Sequence, residues 1–143
     1  MTLRPLILVS LLALAAPAHA EIARVKAASG AASVKRGTAQ IPAKIGQTLE
    51  PGDCLVTGKD GRVSVTFVDN TRFAVGPNSQ VEVSKFDYDR TRQQGAFVTR
   101  VSRGSLAVVS GRIAKSGRDA MKVQTPTSLL GVRGTRFIVE VPQ

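Results

Sequence analysis

The sequence predicts an all-β fold: a compact single domain of short strands. Three observations predict it. Val, Thr and Phe recur in short segments, and 13 glycines punctuate those segments with turn signals about every ten residues. The clearest segments alternate apolar with polar residues, the period of a half-buried strand. No Ser/Gly-rich or Pro-rich linker divides residues 21–143. Spacing of this kind describes a sandwich, a jelly roll, a barrel or a solenoid.

Taken in order, residues 22–28 and 31–35 flank Ser29-Gly30 and suggest a hairpin. Leu49, Leu55 and Val56 then surround a Pro51-Gly52 turn. Val63, Val65 and Phe67 alternate with Ser64 and Thr66, and a second strand follows over residues 71–75. Asp69-Asn70 between them reads as a two-residue turn whose side chains tolerate positive φ. After the break at Gly76-Pro77-Asn78, Val81 and Val83 share one face. Residues 86–95 read as a polar connection. Residues 96–101 and 105–109 flank a turn at Arg103-Gly104, and the second run is apolar enough for burial on both faces. Residues 111–120 suit either a short helix that packs Ile113, Ala114 and Met121, or a basic loop. Phe137, Val139 and Val141 close the domain on one face, opposite Ile138 and Glu140.

The first twenty residues read as a signal peptide rather than as fold. Arg4 supplies a positive start, residues 6–16 an apolar run, and Ala18-His19-Ala20 a small-x-small cleavage site before Glu21. The apolar run is shorter than the ~20 residues that span a bilayer. No later stretch is long or apolar enough to do so, and no Cys follows the cleavage site to carry a lipid. A periplasmic or secreted protein is expected. The lone Cys54 forms no intramolecular disulfide and reads as a buried small hydrophobe.

Lys and Arg outnumber Asp and Glu twenty to ten, a net charge of +10. Loss of Arg4 with the leader lowers it to +9. A charge of this size attracts polyanions. Outside the cytoplasm these are lipopolysaccharide phosphates, anionic glycan or a membrane surface, and no nucleic acid is expected. A basic surface that merely solubilises is the alternative. The basic connections nominate Arg90, Arg92, Arg112, Lys115 and Arg118 as binding residues, with Tyr88 beside them as the one candidate exposed ring. Core filling or loop anchoring suits Tyr88 better than sugar stacking.

Catalytic chemistry is poorly supplied. The only histidine, His19, leaves with the leader, which removes Ser-His and Cys-His pairs and His metal ligands. Asp87 and Asp89 lie two apart, but Arg90 and Arg92 follow them instead of the further oxygen ligands of a calcium loop. No enzyme, cofactor or metal is expected.

The last third carries Thr125-Pro126-Thr127-Ser128-Leu129-Leu130-Gly131-Val132-Arg133-Gly134-Thr135. Gly131 and Gly134 permit positive φ or close backbone approach, and Thr125-Pro126 forces an extended step. Leu129, Leu130 and Val132 are expected to plug the core. Arg133 either holds the crossing through carbonyls or a carboxylate, or reaches an anionic ligand; the structural role is preferred for Thr125, Pro126, Gly131, Arg133, Gly134 and Thr135 alike. Upstream stand Gly52-Asp53, Thr57-Gly58-x-x-Gly61-Arg62, Asp69-Asn70-Thr71 and Gly76-Pro77-x-Ser79. In this order the motifs resemble the FecR-type domain over roughly residues 22–141. The resemblance implies a module of the cell envelope. The sigma-factor-binding segment and membrane helix of its iron-sensing members are not expected here. Many relatives continue with further strands, so the resemblance also implies a short form or a last strand completed elsewhere. An envelope protein is the expected partner, pairing at a sheet edge, with anionic glycan or lipopolysaccharide as the alternative. The sequence sets no oligomeric state.

Overall fold

The computed structural model describes residues 20–134 and 136–143. In chain order its elements are β1 (Ala23–Ser29), β2 (Ala32–Arg36), β3 (Ala39–Pro42), β4 (Thr48–Leu49), β5 (Cys54–Thr57), β6 (Arg62–Phe67), β7 (Arg72–Val75), β8 (Gln80–Asp89), β9 (Gln94–Val109), α1 (Arg112–Ser116), β10 (Met121–Gln124), β11 (Leu129–Val132) and β12 (Arg136–Val141). The fold is all-β. Pairing divides it into two sheets that share β9. One runs β3-β2-β5-β8-β9-β10-β11; the other runs β4-β1-β6-β7-β9-β12. Only β9 and β10 pair in parallel, joined through α1; the other ladders are antiparallel.

The sheets meet along a seam where the chain repeatedly passes from one to the other. β1 turns into β2 at Gly30, β5 into β6 through residues 58–61, and β7 into β8 through residues 76–79. These crossings bind one another. Gly58 N–H donates to Ala31 O at 2.8 Å, Asn78 N–H to Gly58 O at 3.0 Å, and Thr57 Oγ1 to Gly76 O at 2.6 Å. Ser105 N–H donates to Ser79 Oγ at 2.9 Å, which ties in β9. β9 itself crosses the seam at Gly104, where φ is +85°. Strands that switch sheets through bends make the corners of such sandwiches.

The seam corrects two expectations. β1 and β2 flank a turn but are not a hairpin: β1 pairs with β4 and β6, and β2 with β3 and β5. Residues 96–109 are not two strands around an Arg103-Gly104 turn but one bent strand that serves both sheets. Its inward face changes parity at the bend. Phe97, Thr99 and Val101 are buried before it, Leu106 and Val108 after it. Ala107 and Val109 are half-buried, so this run is not enclosed on both faces.

A second parity change explains why residues 86–95 are not simply a polar connection. A register shift between Val83 and Lys85 moves the inward positions from Val81 and Val83 to Phe86 and Tyr88. β8 therefore continues to Asp89, and only residues 90–93 turn. The 67–72 turn also differs from expectation. Asn70 N–H donates to Phe67 O and Phe67 N–H to Thr71 O, with Asn70 at φ 70°. That is a three-residue loop ending in a left-handed residue, not a two-residue turn.

Four phenylalanines lock the sheets together. Phe67 on β6 and Phe73 on β7 face Phe86 on β8 and Phe97 on β9, with ring centroids 4.7–5.5 Å apart. Burying one such side chain contributes about 1.5–3 kcal/mol. Opposite the seam, α1 closes the open end and inserts Ile113 and Ala114 into the core beside Met121. Of the two readings of residues 111–120, the helix is the one present. No helix among the described residues is long and apolar enough to cross a membrane.

Candidate functional site

The motifs picked out in the sequence are mostly fastenings of the fold. Asp53 is buried and accepts two hydrogen bonds from Arg36, Nε at 2.8 Å and Nη2 at 2.7 Å, and a third from Glu50 N–H. It holds β2 against the turn into β5. Asp69 is also buried. Its Oδ1 accepts from Thr71 N–H at 3.0 Å; its Oδ2 accepts from Thr71 Oγ1 at 2.8 Å and Ile113 N–H at 3.2 Å. Thr71 Oγ1 in turn accepts from Gly111 N–H, and Asp69 O from Arg112 N–H. One carboxylate thus pins α1 to the β6–β7 turn.

The family-like segment at the end of the chain is a hairpin followed by a change of sheet. Thr125 N–H donates to Ser128 O at 2.8 Å, and Ser128 N–H donates back to Thr125 Oγ1 at 3.0 Å. Pro126 sits in that turn, where its missing N–H costs nothing. β11 then leaves the first sheet, and β12 joins the second. Gly134 makes the turn between them at φ +58°, as its place in the sequence suggests. Gly131 does not have positive φ. A Cβ there would meet only the end of the exposed Asp119 side chain, 2.6 Å from Oδ1, which is free to move aside. Thr135 lies outside the described residues.

Gly134→Val should lower stability by about 1–3 kcal/mol, because a β-branched residue resists the left-handed region. Thermal melting checks this. A variant that melts like the parent would show that the turn is not needed for the change of sheet.

Two of the expected core residues are on the surface. Leu129 is 62% exposed and Leu130 44%, whereas Val132 packs on the core. Ile138, on the opposite face of β12 from Val139, is 69% exposed. β11 bonds only to β10, and β12 only to β9. Each therefore presents its outer edge unpaired among the described residues. Between them opens a cleft of about 520 Å³, lined by residues 125–128, Leu130, residues 138–142 and Ser102. Sequence reasoning missed this site. Its one local signal was Ile138, an aliphatic on the side that alternation assigns to solvent.

The six candidate binding residues divide. Arg92, Arg112 and Lys115 come together: the 90–93 turn and α1 flank a shallow, open hollow of about 300 Å³ lined by Arg92, Gln93, Gln94, Arg112, Lys115 and Ser116. Arg90 and Arg118 are exposed but do not line it. Tyr88 is no exposed ring; it packs against the core with its hydroxyl buried and without a hydrogen-bond partner among the described residues. Arg133 is exposed.

Chemistry for catalysis is sparse in the described residues. No group of three or more His, Cys, Asp or Glu is placed to hold a metal. Asp89 caps its own turn, accepting from Thr91 and Arg92 N–H groups. Cys54 is buried, and burial pushes its thiol pKa up. That favours the unreactive protonated form.

Nothing among curated proteins and nothing among solved structures matches the chain significantly. A family comparison does: residues 53–143 match the FecR protein family. The matched stretch begins at Asp53, later than the resemblance read from the motifs, and leaves β1–β4 outside it although β1 and β2 sit within the sheets. It takes in Asp53, the Asp69–Thr71 fastening, the seam from Gly58 to Gly104 and the β10–β12 segment. Covering more than half of the sequence, this match shows that the chain belongs to the FecR family.

Proposed function

We infer that this chain is an exported, non-catalytic binding module of the cell envelope, and that it engages a protein partner through the open edge formed by β11 and β12. The carrying observation is the two open strand edges of β11 and β12, with exposed Leu130 and Ile138 lining the cleft between them and exposed Leu129 beside Leu130 on β11. An unprotected strand edge offers a row of backbone donors and acceptors. A partner strand that adds there gains ladder hydrogen bonds, and alternate side chains enter the apolar cleft for specificity. Natural edges are usually blunted by charge or proline. β11, with the sequence Leu-Leu-Gly-Val, has neither. Membership of the FecR family and the leader-like N-terminus support a periplasmic or secreted location.

The reading is tested in cells with a photo-crosslinking residue at position 138 and, as control, at Ile41 on β3, the strand at the far edge of the first sheet. Crosslinking to one envelope protein from position 138 but not 41 is expected. The adduct should be lost when Leu130→Lys is added, and the mature N-terminus should be Glu21 by mass spectrometry. Equal crosslinking from both positions, or an adduct indifferent to Leu130→Lys, would remove the edge as the binding surface.

A further inference from the structure

We propose that the hollow between the β8–β9 turn and α1 is a binding site for a phosphate monoester, carried either by a lipid headgroup or by a soluble sugar phosphate. It is separate from the β11–β12 edge and does not depend on it.

Two chain segments far apart in sequence supply its walls. Residues 92–94 come from the turn and Arg112, Lys115 and Ser116 from α1. Three cationic side chains line the hollow and no carboxylate does. Three arginines elsewhere are matched to acids: Arg24 with Glu21, Arg36 with Asp53 and Glu50, Arg100 with Glu82. Two acids stand near: Asp89 lies at the long limit of 4.0 Å from Arg92 Nε with its Oδ1 engaged by two backbone N–H groups, and the buried Asp69 at the start of α1 is spent on Thr71 and Ile113 N–H. Asp119, in the loop after α1, stands against Gly131 on β11. The three cations therefore raise one another's potential in a concave space, which suits a divalent anion better than a monovalent one.

The donor set narrows the class. Arg92 and Arg112 offer planar forks that match phosphate oxygens, Lys115 a point charge, and Gln93 and Gln94 amide N–H groups. A phosphate monoester brings three free oxygens and a charge near −1.5 to −2 at pH 7; a diester brings two oxygens and one charge. The family segment contributes indirectly. The Gly134 turn lies against the stem of Lys115, where a Cβ would stand 3.2 Å from Cγ. It thereby backs one wall of the hollow.

The test uses two probes at fixed ionic strength. Inorganic phosphate is titrated by calorimetry. Phosphatidylcholine vesicles containing phosphatidic acid are compared, by co-sedimentation, with vesicles of equal surface charge containing phosphatidylglycerol, a diester. Three proteins are measured: the parent, the triple variant Arg92→Gln, Arg112→Gln, Lys115→Gln, and a control with the same loss of charge at exposed positions elsewhere, Lys44→Gln, Lys59→Gln, Arg62→Gln. Binding of the monoester is expected to weaken at least about tenfold in the first variant and no more than about twofold in the control, since charge-assisted hydrogen bonds are lost only in the first. Preference for phosphatidic acid over phosphatidylglycerol is expected in the parent. Binding to vesicles alone assigns the phosphate to a lipid; binding to inorganic phosphate as well admits a soluble source. Equal weakening in both variants, absence of monoester preference, or no binding to either probe overturns the proposal. None of these substitutions lies on β11 or β12, and Lys115→Gln keeps the stem that meets the Gly134 turn, so the edge reading stands or falls separately.

Discussion

Replacing Asp69 with alanine is expected to destabilise the protein by about 3–5 kcal/mol, because the loss strands buried donors at about 1–3 kcal/mol each. The groups left without their acceptor are Thr71 N–H, Thr71 Oγ1–H and Ile113 N–H. Thr71 Oγ1 also anchors Gly111 N–H, so its reorientation loosens the start of α1 as well. Ile113 and Ala114 then lose the fastening that holds them in the core. Asp69→Asn keeps one carbonyl oxygen and should cost less. Chemical denaturation of the three proteins measures the order. If Asp69→Ala unfolds at the parental midpoint, the fastening of α1 has been misjudged and its apolar side chains alone hold it.

Gly104→Ala is expected to be at least as damaging, roughly 3 kcal/mol or more, since left-handed strain and overpacking act together. The position has φ +85°, and a Cβ would stand 2.5 Å from Ser79 Cα and 2.6 Å from Ser79 Cβ. Ser79 cannot retreat. It is buried and bonded to Ser105 N–H on the same strand, and its carbonyl accepts from Thr57 N–H. Relief would have to come from unbending β9, which both sheets share. Soluble expression and melting temperature report the effect. A Gly104→Ala protein as stable as the parent would show that the seam yields, and that the bend in β9 is not imposed by contact with the 76–79 crossing.

Much of the candidate chemistry was legible from composition because it is a matter of which groups exist. A chain whose only histidine is His19 has few means of activating a nucleophile, and no arrangement in space changes that inventory. The convergence of Arg92 with Arg112 and Lys115 was not legible in the same way. Those residues stood out as members of basic connections, but only the bend of β9 brings the two ends of that strand to one hollow. Tyr88 packs on the core as preferred, but that it does so from a strand rather than from a polar connection was not legible, for the same kind of reason. It follows a register shift at Val83 and Lys85 that reverses which residues face inward, and a period-2 pattern has no means of announcing an inserted residue.

By itself, the sequence determined the all-β character and several of the turns, those at Gly30, Pro51-Gly52, residues 76–78 and Gly134 among them, because alternation and φ preference are properties of a few neighbouring residues. It also carried the motifs that identify the FecR family. The tertiary structure decided which strands pair, that β1 and β2 belong to different sheets, and that Leu129, Leu130 and Ile138 remain exposed at an open edge. Those outcomes are non-local. An apolar residue is buried only if some other part of the chain lies over it, and nothing near Leu129 in sequence says that nothing among the described residues does.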